Sequence, residues 1–272
     1  MSATRYNNLP LWVQHRDKFL AHSIETNVEW RYGEAPDYSH SNEYLAKESQ
    51  RNHPHGSLEA LVQNLVRTFD IEANFKINPS QWVSIVNDKF RMSTNGGSSY
   101  TVSDLVQSGT YKLLIGNTKH YKADEEDFET STNLFLSAFP DGFLWEVLDV
   151  FSPPPTIAFK WRHWGHFNGK YKDYTPTGET VEVIGMSIVR VTDDLKILSL
   201  EHYYDNTKFL DKLTSGGKLA IVEQRIKPAT DEQRVTFWGF IKRFWHRGEK
   251  PTTGELQTSR CPFSALNSST VR

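Results

Sequence analysis

At 272 residues, with 31 Lys and Arg against 33 Asp and Glu, the chain is close to neutral. That balance excludes the basic footprint of a nucleic-acid-binding protein and any demand for an acidic partner. Its single cysteine, Cys261, excludes an internal disulfide and a cysteine-built zinc site. The length gives room for one large domain with extensions, and 8 Trp, 11 Tyr and 16 Phe supply side chains that fill cores and line apolar pockets. No run approaches the ~20 apolar residues of a spanning helix, and the N-terminus has no signal-like apolar stretch. The expectation is a soluble cytoplasmic protein without a transmembrane segment.

Residues 1–56 are polar and broken by Pro10, Gly33, Pro36, Pro54 and Gly56, too poor in apolar side chains for a core of their own. They read as an extension wrapping the domain, with one short helix near 39–50. Ser57 then caps a helix in which Leu58, Leu61, Val62, Leu65, Val66 and Phe69 recur at helical spacing. FRMSTNGGSSY reads as loop or strand edge. Thr101 or Ser103 can cap a helix through VSDLVQSGTYKLL. The acidic residues Asp124 to Asp127 suit the positive end of another helix, which Pro140 stops.

From 143 the period changes to two. In TIAFKWRHWG the positions Ile157, Phe159, Trp161 and His163 share one face, which reads as buried. TVEVIGMSIVRV is apolar on both faces, as a strand covered on both sides would be. In the last strand, strict alternation puts Ile197, Ser199, Glu201, Tyr203 and Asp205 on one face and His202 with Tyr204 on the other. Turns fall near 152–155, 168–179 and 192–195. Helices followed by an antiparallel meander predict an α+β fold with the helices gathered on one side of the sheet.

Four elements carry a family resemblance: Phe139-Pro140-Asp141, the Gly165 to Gly169 turn, Pro176-Thr177-Gly178, and Tyr204-Asp205 at the end of the last strand. Over about 57–215 the chain resembles the SnoaL-like polyketide cyclases. VEWRYGEAPDY at 28–38, MSTNG at 92–96, IAFKWRHWG at 157–165 and Cys261-Pro262 further resemble the plant pathogen-related protein group and its fungal relatives. The resemblance implies a cone-shaped curved antiparallel sheet wrapping N-terminal helices, a pocket at its open end, and acid/base ring closure without metal or organic cofactor. It also implies a key aspartate at the end of the last strand, which is Asp205 here. Phe167 stands where that family commonly has a histidine.

Asp205 and His163 are the expected catalytic pair, the carboxylate as base or acid and the imidazole as its partner. Tyr203 and Glu201 share strand parity with Asp205, and the aromatic neighbours Trp161, Trp145, Tyr203 and Tyr204 would desolvate the carboxylate. Tyr203, Glu201, Trp161, Trp145 and Phe159 are the expected substrate-binding residues, with His202 and His166 facing solvent or a subunit interface. Two readings of Asp205 stay open, the second being a cap on the helix NTKFLDKL. His163 can equally be an interior histidine bonded to a backbone carbonyl. HWGH sends its two histidines to opposite faces of a strand, so no metal site is expected. The segment 216–272 reads as a C-terminal extension with an amphipathic helix near 235–247, either a lid, a docking helix or a membrane-surface helix. The expected function is a cofactor-independent cyclase or isomerase acting on a hydrophobic polyketide or isoprenoid metabolite. A non-catalytic small-molecule binder in pathogen or stress response is the alternative, and a homodimer through the sheet face is the expected assembly.

Overall fold

The computed structural model describes residues 9–218. Seven α-helices and five strands alternate along them: α1 (Arg16–Glu25), α2 (Ser39–Glu48), α3 (Leu58–Phe75), β1 (Arg91–Thr94), α4 (Val102–Ser108), α5 (Thr110–Ile115), α6 (Phe128–Ala138), β2 (Leu144–Val150), β3 (Thr156–His166), β4 (Thr180–Val191), β5 (Ile197–Tyr204) and α7 (Asn206–Thr214). The caps predicted from sequence form. Ser57 Oγ accepts the Ala60 amide at 3.2 Å, and Thr101 forms a capping box with Asp104. Asp127 does the same for α6 with Thr130. Each satisfies amides that would otherwise be orphaned at a helix start.

The sheet runs β1-β5-β4-β3-β2. β2 to β5 are the expected antiparallel meander, but β1 pairs in parallel with β5, so the sheet is mixed rather than wholly antiparallel. The segment expected as loop or strand edge thus supplies an edge strand. Two bulges bend the sheet: Val147 and Asp149 face consecutive β3 residues, leaving Leu148 extra, and Arg190 and Val191 face Ser199 and Ile197, leaving Leu198 extra. A bulge tightens local twist and re-aims the side chains beyond it. Helices cover the inner face, where Leu65, Phe69, Phe135, Phe159 and Leu200 sit in one core.

Gly165 and Gly169 bracket the turn after β3 because the end of α6 lies against them. A Cβ on Gly169 would fall 1.9 Å from the Ser137 carbonyl oxygen, and one on Gly165 2.8 Å from the Phe139 ring. Residues 48–51 pack on the outer side of β2 and β3, while α1 packs on α3 and Tyr32 and Tyr38 reach the cavity inside. Trp164 Nε1 donates to Glu48 at 2.9 Å, and His166 meets the same carboxylate at 2.9 Å. The buried Glu146 carboxylate accepts the Gln50 and Arg51 amides at 3.0 and 3.1 Å and pairs with Arg162 at 3.1 Å.

Candidate functional site

Between α3, α5, α6 and the inner face of the sheet lies a cavity of about 260 Å³. One wall is a polar stripe on α3. Arg67, Asp70 and Asn74 recur at helical spacing and therefore face one way, while Val66 and Phe69 beside them also reach the cavity. Asn74 Nδ2 donates to Asp70 Oδ1 at 2.8 Å, and Thr110 Oγ1 donates to Asn74 Oδ1 at 2.8 Å. Arg67 Nη2 donates to the Trp145 carbonyl at 3.0 Å. Tyr38 and Tyr111 line the same region, and Arg16 lies over the Tyr38 ring at 3.8 Å.

Asp70 lies deep in the chain yet keeps an exposed side chain; the surface it shows is cavity wall. Loss of solvent pushes its carboxyl up to about 6, although Arg16, the Asn74 amide and Arg67 all favour the charged form. Burial also lowers the Arg67 guanidinium to about 10 and raises the Tyr38 and Tyr111 phenols, with Asp70 adding to both. At neutral pH the wall therefore offers a carboxylate that accepts protons readily and phenols that keep theirs.

The opposite wall belongs to the sheet. Trp161 Nε1 donates to Ser187 Oγ at 2.8 Å, and Ser187 Oγ lies 2.8 Å from His202 Nδ1. The indole can only donate, so Ser187 Oγ accepts there. The one other partner of this fully buried hydroxyl among the described residues is His202 Nδ1, and we assign its proton to that nitrogen. His202 then carries its hydrogen on Nε2. Burial holds its pKa down to about 4, so the ring is a neutral donor at pH 7. Tyr204 donates to the Leu114 carbonyl at 3.0 Å and packs edge-on against Trp161 at 5.7 Å. His163 stacks on Phe143 at 3.6 Å. Its pKa is lowered to about 3 by burial, against a weaker pull from the Leu144 backbone.

Of the residues expected from sequence, His163, Trp161 and Trp145 line the cavity. Phe159 is fully buried in the core beside Trp145, 6.3 Å from its ring, and does not reach the cavity wall. Asp205 is exposed and caps α7, accepting the Lys208 amide at 3.0 Å; no hydrogen bond joins it to His163. Glu201 and Tyr203 lie on the outer face, where the Tyr203 hydroxyl donates to Glu201 at 2.9 Å. The expectation that these three share the cavity is corrected by the Leu198 bulge. Strict alternation counts Ile197, Ser199 and Glu201 on one face. The extra residue keeps Ile197 inward but turns Leu200, His202 and Tyr204 inward after it.

Sequence reading missed Asp70 and Arg67, named Tyr204 only as an aromatic neighbour, and turned His202 outward, whereas it lines the cavity. The available signal for the first two was a polar stripe at 67, 70 and 74 enclosed by apolar positions on both sides, unlike an outer helix face. Among the described residues no three His, Cys, Asp or Glu side chains gather as metal ligands, and no helix is long and apolar enough to cross a membrane. The helix expected at 235–247 and Cys261 lie outside the described residues.

The SnoaL-like polyketide cyclase family matches residues 119–213. The pathogen-related protein of Hordeum vulgare is 35% identical over 199 residues, covering 71% of this chain and 85% of that one. Among solved structures, AclR, a putative hydroxylase from Streptomyces galilaeus, is 14% identical with a TM-score of 0.35, covering 67% of this chain and 94% of its own. IdmH, a putative polyketide cyclase from Streptomyces antibioticus, is 17% identical with a TM-score of 0.34, covering 55% and 96%. The chain belongs to the pathogen-related protein family and carries a SnoaL-like polyketide cyclase domain.

Proposed function

We propose that the protein is a cofactor-independent cyclase or isomerase, acting by acid/base chemistry on an apolar, carbonyl-bearing polyketide or isoprenoid metabolite, with Asp70 as the general base. The observation that carries this reading is a carboxyl lifted to about 6 on the wall of a largely aromatic cavity. A base with a pKa near the working pH combines a useful ionised fraction with real proton affinity. Asp70 would take a proton from the carbon next to the ketone, and the released electron pair would move onto the carbonyl oxygen. Neutral His202, through Nε2–H, would donate to that oxygen, as fixed donors stabilise developing charge. The enolate carbon then either regains a proton, completing an isomerisation, or attacks a second carbonyl carbon of the same molecule. In the second case the new alkoxide takes the proton held by Asp70.

The experiment is deuterium exchange at the α-carbon of a bicyclic aryl ketone such as tetralone, followed by NMR. Wild-type protein accelerates exchange and Asp70→Asn does not, while circular dichroism of the two agrees. Equal exchange by both would remove Asp70 from the reaction.

A second reading, a non-catalytic binder in pathogen or stress response, draws on the aromatic lining of the cavity and the name of the barley relative. Binding of tetralone without exchange by the wild type would favour it. The exposed Ile184, Met186 and Tyr203 on the outer face support a homodimer through the sheet. Sedimentation equilibrium tests that, with Met186→Glu expected to yield monomer.

A further inference from the structure

Arg67 has an unusual position for a guanidinium. It sits on the inner stripe of α3, lines the cavity, and spends one donor nitrogen on the Trp145 carbonyl at 3.0 Å. Among the described residues it forms no ion pair, whereas Lys76 and Arg162 do; buried Arg16 is met instead by Asn42 and the Tyr38 ring. Lys76 meets Glu72 at 3.0 Å and Arg162 meets Glu146 at 3.1 Å. The carboxylate on the strand beside it, Glu146, is already engaged by Arg162 and two backbone amides. A desolvated charge without a partner is costly, so interior ions are found paired. Guanidinium groups present a flat fork of N–H donors that matches the two oxygens of a carboxylate.

The local charges point the same way. Arg16, stacked on the cavity-lining Tyr38, repels Arg67, and the carboxyl that the cavity wall sets against them is Asp70. A monoanion seated at Arg67 would offset that repulsion, while a dianion would add charge beside Asp70. We infer that the cavity takes a substrate bearing one carboxylate on an apolar, ring-bearing body, and that Arg67 is the residue that receives the carboxylate. The inference rests on the proposed reading in taking this cavity as the substrate site, and it deepens that reading by fixing one end of the substrate. With the carboxylate seated at Arg67, one helical turn from Asp70, a carbonyl further along the molecule is left among the aromatic rings of the sheet.

The test compares naphthylacetate with naphthylethanol, which share a ring system and differ in charge, by isothermal titration calorimetry on the full chain. The wild type is expected to bind the acid roughly tenfold or more tightly than the alcohol, the scale of a charge-assisted hydrogen bond. Arg67→Gln should bring the ratio near one, and Arg67→Lys should keep part of it. Equal affinities, tighter binding of the alcohol, or binding of neither by the wild type would overturn the inference, whatever the variants do. The wild-type exchange reaction with neutral tetralone is scored separately. Lost acid preference with exchange intact removes the carboxylate subsite and leaves the Asp70 chemistry standing. Acid preference without exchange does the reverse.

Discussion

Gly185 on β4 lies directly beneath the Trp161 indole: a Cβ at this position would come 2.2 Å from Trp161 Cζ2. The indole crosses over the neighbouring strand because nothing projects there, and so reaches Ser187 and the cavity. Gly185→Ala forces the ring aside, and the overpacking is expected to cost about 1–3 kcal/mol. Urea denaturation followed by tryptophan fluorescence measures it, and the emission maximum should shift because the displaced indole loses its hydrogen bond to Ser187.

The Ser187 hydroxyl serves two buried groups at once, accepting from Trp161 and sharing a hydrogen bond with His202 Nδ1. Ser187→Ala leaves an indole N–H and an imidazole nitrogen unpaired. Each unsatisfied buried group costs about 1–3 kcal/mol, so the loss should exceed that of a typical surface serine. Nitrogen-15 spectra of the histidine rings provide a second readout. The wild type should show His202 with its hydrogen on Nε2, and the variant a mixture of tautomers.

Asp70 ties stability to pH with a definite sign. Its folded pKa of about 6 stands above the ordinary 3.8 because burial outweighs the Arg16, Asn74 and Arg67 contributions, with the Tyr38 and Tyr111 phenols also close by. Between those two values the folded state binds more protons than the unfolded one, so this group's contribution is full below 3.8 and is lost as pH rises through about 6. His202 acts oppositely: with its pKa lowered from 6.5 to about 4, its contribution is lost as pH falls across that window. Thermal melts of wild type and Asp70→Asn over the same pH series isolate the aspartate. The difference between them should favour the wild type least above about pH 6. The rate of tetralone exchange should climb through the same region as the base ionises.

Glu146 anchors the N-terminal segment to the sheet through Gln50, Arg51 and Arg162. Glu146→Ala takes from buried Arg162 its interior carboxylate, leaving it the Glu182 pair, the Glu48 carbonyl and the Trp164 ring, and is expected to destabilise by about 3–5 kcal/mol, as breaking an interior pair does. Limited proteolysis reads the same event: cleavage around residues 50–56 should appear in the variant under conditions where the wild type resists.

Much of this architecture could be read from local signals. The α3 apolar stripe, the Ser57 and Thr101 caps and the β3 face carrying Ile157, Phe159, Trp161 and His163 each depend on spacing within one element, and spacing survives in sequence. The site was less legible for two physical reasons. The run Ile197-Leu198-Ser199-Leu200 accommodates either strand parity, so nothing in it marks the bulged residue that decides which of Glu201 and His202 turns inward. Asp70 was passed over because a polar residue on an amphipathic helix ordinarily marks its outer side. Only the packing of α3 against a curved sheet makes that side the lining of an internal cavity.

The Leu198 bulge also sets how this cavity can change. Point substitutions alter one lining group at a time, but taking Leu198 into the ladder would slide all that follows it in β5 by one residue. His202 and Tyr204 would turn outward together, and Glu201 and Tyr203 would take their places against Trp161. Such a slide exchanges a neutral imidazole and a phenol for a carboxylate and a different phenol without touching any helix. Deleting Leu198 instead keeps every later pairing and leaves His202 and Tyr204 inward, so the bulge and not the residue holds the interior's charge in place.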